Sequence, residues 1–128
     1  MTFAEKYEYL KETYASYADF SKVREDLAAQ ITLTDADCGG TFYVTVKNGK
    51  HEIAPYNYYN HTVSIRLESD LLESLLQGKK NPVNEFLLGN VDAEGEASHA
   101  LALIDAMKLK KRGRKTPADR EKRASAEV

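Results

Sequence analysis

Ser69–Gly95, SDLLESLLQGKKNPVNEFLLGNVDAEG, decides how the rest of the chain is read. Leu71, Leu72, Leu75 and Leu76 recur at i, i+1, i+4 and i+5, the spacing of one helical face. Ser69 is placed to cap that helix, and Gly78 to end it, because glycine accepts the left-handed conformation at a helix terminus. Asn81-Pro82 reads as a second cap followed by a first-turn proline. Val83, Phe86 and Leu87 form the inner side of a second short helix that Gly89 closes. Asn90–Gly95 then alternates polar and apolar residues as an edge strand does. Two short leucine-rich helices cannot bury themselves. They require a sheet to lie on, and they leave room for a space between.

The residues just upstream supply that sheet. Thr62–Leu67 places Val63, Ile65 and Leu67 on one side of a strand. Asn48-Gly49 is a strong hairpin signal, since both residues tolerate positive φ. It joins Thr41–Lys47, with Phe42, Val44 and Val46 on one face, to Lys50–Pro55, with Ile53 inward. Asp35–Gly40 has turn chemistry, and Gln30–Thr34 alternates as a further strand. Earlier still, Phe20, Val23 and Leu27 continue a helical stripe to about Ala29. Residues 3–15 form an amphipathic helix opened by a Thr2/Glu5 capping box. Downstream, Ala97, Ala100, Leu101, Ile104 and Met107 share one stripe of a helix over Glu96–Lys108. The expected order is α, α, β, β, β, β, short α, short α, β, α. That is an α+β layer structure, with helices packed over one face of a five-stranded, largely antiparallel sheet.

A chain of 128 residues argues for one domain. Cys38 is the only cysteine, so an internal disulfide is impossible and a reducing compartment is expected. The first dozen residues carry charges where a signal peptide needs an apolar run, and no stretch has the length of a membrane span. The expectation is a cytoplasmic protein. Charge is split: Met1–Met107 holds nine basic and 17 acidic residues, whereas Lys108–Val128 holds nine basic and three acidic. The expected organisation is therefore a body, 1–107, and a basic, disordered tail, 108–128, with too few large apolar residues to order itself.

The chemistry of an enzyme is hard to find. His51, His61 and His99 are scattered without metal-ligand spacing. Cys38 sits in a turn with no base in sight. Asp35 and Asp37 lack the spacing and closing glutamate of a calcium loop, and Gly39-Gly40 lacks the lysine and helix of a phosphate cradle. No catalytic residue, metal or cofactor is expected. What remains is an apolar set that reads either as a filled core or as the wall of a pocket.

Taken together, GGTFYVTVKNGK (39–50), the run VSIRLESDLLESLLQGKKNPVNEFLLGNVDAEGE (63–96) and the helix ALALIDAM (100–107) resemble the sterol carrier protein family of non-specific lipid-transfer domains, in its bacterial stand-alone form. The resemblance covers most of the body and none of the tail. It implies a hydrophobic tunnel between sheet and helices that holds a fatty acid, acyl-coenzyme A or sterol, with no catalysis. By matching position it implies a wall of Phe42, Val44, Ile53, Val63, Ile65, Leu71, Leu75, Phe86, Leu87, Leu101, Ile104 and Met107. Burying about ten methylenes at ~0.8 kcal/mol each gives roughly 8 kcal/mol, enough for micromolar binding and too unselective for narrow specificity.

The tail run Lys110, Lys111, Arg112, Arg114 and Lys115 is open to three readings. It is a solvated tail, a tether to an anionic membrane surface, or a nucleic-acid arm in which Arg112-Gly113-Arg114 resembles an AT-hook core; the last is the least favoured. Beside the lipid carrier, two other functions stay open. One is an accessory domain of an enzyme acting on acyl substrates; the other is an interaction module working through the tail.

Overall fold

The structure is a computed structural model, and it describes residues 1–109. The expected basic tail, 108–128, lies outside the described residues from 110 onward, whereas Leu109 N–H still donates to Leu76 O.

Helix α1, Phe3–Thr13, starts at a true capping box: Glu5 N–H donates to Thr2 Oγ1, and the Glu5 carboxylate accepts from Thr2 N–H at 2.8 Å. A 3₁₀ turn, Ala15–Tyr17, follows. The strands are β1 (Leu27–Leu33), β2 (Gly40–Lys47), β3 (Lys50–Ala54), β4 (Val63–Leu67) and β5 (Asp92–Gly95). Between β4 and β5 come α2 (Ser69–Leu76) and α3 (Pro82–Leu87), and α4 (Ala97–Met107) closes the described body. Asn48 and Gly49 both have positive φ, 53° and 78°, as the hairpin between β2 and β3 requires.

The sheet order is β3-β2-β1-β4-β5. All neighbours are antiparallel except the central pair, β1 and β4, which run parallel. The expected α+β architecture with a mostly antiparallel five-stranded sheet is present. The register sets rows of inward positions across the strands, and two of them reach β5. One is Ile53, Val44, Ala29, Val63 and Gly95; the other is Phe42, Ile31, Ile65 and Ala93. α1 covers the β2 side, with the Tyr7 ring edge-on to Phe42 at 5.8 Å. α2 and α4 cover β1 and β4 through buried Leu72, Leu75, Leu76, Leu103 and Ile104. Each fully buried aliphatic side chain contributes roughly 1.5–3 kcal/mol.

Two expectations need correction. The helix read over Phe20–Ala29 does not form. Asp19 turns the chain instead, its carboxylate accepting from Ser21 N–H and hydroxyl. Phe20 stacks on His51 of β3 at 4.5 Å, and Leu27–Ala29 extend β1, paired with Val46–Val44. Strand pairing thus overrides a weak helical stripe. Ser69 does not cap α2 either; it is the helix's first residue. The cap comes from Asp35 in the β1–β2 turn, which accepts from Ser69 N–H at 2.8 Å and from the Ser69 hydroxyl at 3.0 Å. Burial works to raise the Asp35 pKa, but these two donors outweigh it and hold the carboxyl below its ordinary range.

Candidate functional site

An apolar groove of about 360 Å³ runs between α3, β5 and α4. Ile65, Ala93 and Gly95 form its floor; Pro82, Val83 and Phe86 form one wall; Ala97, Ala100, Leu101 and Ile104 form the other. The space stays open because the facing positions are short: alanine at 93, 97 and 100, glycine at 95. Gly95 has no alternative. Its φ is +99°, and an added Cβ would collide with the Thr62 carbonyl oxygen. The mouth is apolar too, with Val83, Phe86 and Leu101 each 42–49 % exposed. α3 is held as a separate short element by its own ends. Asn81 Oδ1 accepts from Val83 and Asn84 N–H, and Gly89 leaves it with φ +84°.

Beside the groove lies a small, largely enclosed void of about 10 Å³ lined by apolar side chains, among them Ile31, Leu72, Leu76 and Met107. It is barely the size of one water and offers that water no polar partner. Ile65 and Ile104 border both spaces, so they stand between the open groove and the smaller void. The apolar space is thus a half-open groove beside a small, largely enclosed void.

Of the twelve implied wall residues, the structure gathers Ile65, Phe86, Leu101 and Ile104 around the groove, with Met107 on the void beside it. Phe42, Val44, Val63 and Leu75 are fully buried in the core. Ile53 packs against that core from β3, at the far edge of the sheet. Leu71 borders a separate polar cleft of about 710 Å³, shared with Arg66, Asp70, Lys80 and Glu85. Leu87 points away from the groove and is 75 % exposed. The sequence places Ala97 and Ala100 on the inward stripe of the last helix, but neither they nor Ala93 and Gly95 are among the implied wall residues. Periodicity marks large apolar side chains, whereas a cavity is made by the missing ones.

The polar groups nearby are already engaged. His99 on α4 contacts Thr62 Oγ1 through Nδ1 at 2.7 Å and Glu25 Oε1 through Nε2 at 2.9 Å. The row resembles a nucleophile, base and acid. Thr62 Oγ1, however, also donates to Ala28 O and accepts from Ala28 N–H, which ties it into the sheet. Neither Thr62 nor His99 lines the groove. Among the described residues, one group of ligand-type side chains clusters within 4.8 Å: Asp35, Asp37 and Cys38. Asp35 is occupied by Ser69, and Cys38 is buried with its thiol pKa pushed up by that burial.

No family model and no curated protein matches the sequence. Solved structures do match the fold. Sterol carrier protein 2 from Yarrowia lipolytica, in its apo form, superposes with a TM-score of 0.55 at 16 % identity, over 84 % of this chain and 77 % of that one. Palmitated SCP2L2 from Aedes aegypti gives 0.58 at 13 % identity, over 85 % and 96 %. The sec-alkylsulfatase Pisa1 from Pseudomonas sp. gives 0.60 at 14 % identity over 67 % of this chain, which spans 13 % of the sulfatase's length. The protein therefore has the sterol carrier protein 2 fold. It has the α+β form of that fold in which helices cover one sheet face.

Proposed function

We propose that this protein binds and carries a hydrophobic ligand, a fatty acid, acyl-coenzyme A or sterol-like lipid, in the groove between α3, β5 and α4, without catalysing its conversion. The observation that carries this reading is the groove itself. It is apolar, open at one side, and large enough for a small ligand, since ligand sites run from about 300 Å³ upward. The fold supports the reading by analogy, because several of its neighbours are named sterol carrier proteins and one was determined palmitated. In this reading residues 1–107 are the carrier domain and 108–128 a basic tail. Lys110, Lys111, Arg112, Arg114 and Lys115 then draw the carrier toward anionic membrane. A cytoplasmic setting suits the free, buried Cys38.

Native mass spectrometry of freshly purified protein, paired with titration of a fluorescent fatty acid, tests the proposal. Co-purified lipid or micromolar binding supports it. Absence of both at micromolar protein removes it.

A further inference from the structure

Apart from Met1 and four tyrosines, the exposed large apolar side chains among the described residues are Val83, Phe86, Leu87, Leu88 and Leu101. All five belong to α3, its C-terminal cap or the facing rim of α4. Val83, Phe86 and Leu101 turn toward the groove, whereas Leu87 and Leu88 turn away from it and are 75 % and 71 % exposed. α3 therefore carries apolar side chains outside the groove as well as in it, and among the described residues Leu87 and Leu88 stay largely uncovered.

Basic groups surround the same end. Lys79 and Lys80 are exposed and lead directly into α3. Lys108 lies across the end of α2, where an added Cβ at Gly78 would sit 3.2 Å from its Cε. Leu109 N–H donates to Leu76 O at 2.7 Å, so the chain leaves the described body beside Gly78 and continues into Lys110, Lys111 and Arg112. The only carboxylate on α3, Glu85, is buried and accepts from Asn90 Nδ2. The rest of the body is strongly acidic. Lys80 shares its cleft with Glu68, Asp70 and Asp92, so the lysines meet an anionic surface from the α3 side of that cleft.

We infer that α3 and the residues beside it form a membrane-docking face. Leu87 and Leu88 enter the acyl region of an anionic bilayer, Lys79, Lys80 and Lys108 sit at its headgroups, and the mouth of the groove faces the lipid. The inference deepens the carrier reading by naming the surface through which ligand passes. A short apolar insertion flanked by lysines suits an interface, because the lysine stems reach back to the headgroups. Each basic residue at such a surface adds roughly fivefold to partitioning.

The test uses the full chain with vesicles of phosphatidylcholine containing about 30 % phosphatidylserine, and with pure phosphatidylcholine. Wild type is expected to co-sediment with the first, weakly with the second, and less as salt rises. Leu87→Ser/Leu88→Ser and, separately, Lys79→Glu/Lys80→Glu are each expected to lower partitioning at least tenfold. Both variants keep fluorescent fatty-acid binding in solution within about twofold. Partitioning of both variants within twofold of wild type overturns the proposal. So does a wild type that ignores vesicles but dimerises through Leu87 and Leu88. Vesicle binding without any fatty-acid binding upholds the docking face and sinks the carrier reading instead.

Discussion

Lys6 on α1 and Glu73 on α2 lie 67 residues apart in sequence and 2.7 Å apart in space. Both side chains are nearly buried, at 11 % and 13 % exposure. Glu73 also accepts from the Tyr14 hydroxyl at 3.0 Å, and Gln77 Nε2 donates to that hydroxyl in turn. This polar cluster fixes α1 and the residue that ends it to α2.

Removing one partner leaves the other charge buried alone. Glu73→Ala is expected to cost about 3 kcal/mol, read as a shift in urea midpoint at constant slope. The double change Lys6→Met/Glu73→Leu should recover most of that loss. Equal destabilisation by the single and double variants would show that the pair is not what joins the helices.

The same cluster sets the response to pH. Burial works to raise the Glu73 pKa, but hydrogen bonds from Lys6 and Tyr14 outweigh it, so the folded pKa lies below the ordinary 4.5. Asp35 is held below its ordinary 3.8 by Ser69. Their stabilisation is present above these values and is lost as pH falls through the lower folded ones. At the alkaline end burial pushes Tyr14 up to about 12 from 10.0. Lys6, despite a burial penalty, is raised above 10.5 by Glu73. Stability from raised groups is complete below the unfolded pKa and lost as pH climbs through the folded one. Urea midpoints are therefore expected to hold between about pH 5 and 10 and to decline on both sides. Wild type should lose more than Glu73→Ala in the acid limb. A parallel decline in both would exclude Glu73 as a source.

Filling the groove separates the cavity from the core. Ala93→Phe places a ring over the floor beside Ile65. It is expected to weaken fatty-acid binding at least tenfold while costing no more than about 3 kcal/mol of stability. Unchanged binding would move the ligand elsewhere.

Gly95→Ala tests the close approach that makes the floor. The Cβ meets the Thr62 carbonyl, and the positive φ adds strain, so a loss of about 2 kcal/mol or more is expected in thermal or urea unfolding. A loss below 0.5 kcal/mol would mean that β5 shifts freely.

Where local chemistry decided the structure, the sequence declared it. Thr2/Glu5, Asn48-Gly49 and Asn81-Pro82 each act within a few residues, and each does what its type requires. The failures were non-local. Nothing near Ser69 reveals that its helix is capped by Asp35, 34 residues earlier. Nothing within Phe20–Ala29 reveals that Leu27–Ala29 meet Val46–Val44. The site divides in the same way. Phe86, Leu101 and Ile104 stand out as apolar residues at helical spacing, but the alanines and glycine that hollow the groove look like unremarkable small residues until the opposite wall is in view.

The parallel ladder between β1 and β4 also bears on the order of assembly. The β2–β3 hairpin closes over two residues and can zip in microseconds. The ladder must first close the long loop marked by the Thr62–Ala28 bond, and such pairings set the pace of folding. α3 and β5 hang on the outer edge of that late-formed strand, so they join last and open first. Amide exchange should accordingly be fastest through 82–95 and slowest in β1. The walls that would admit a guest can then breathe without unmaking the protein.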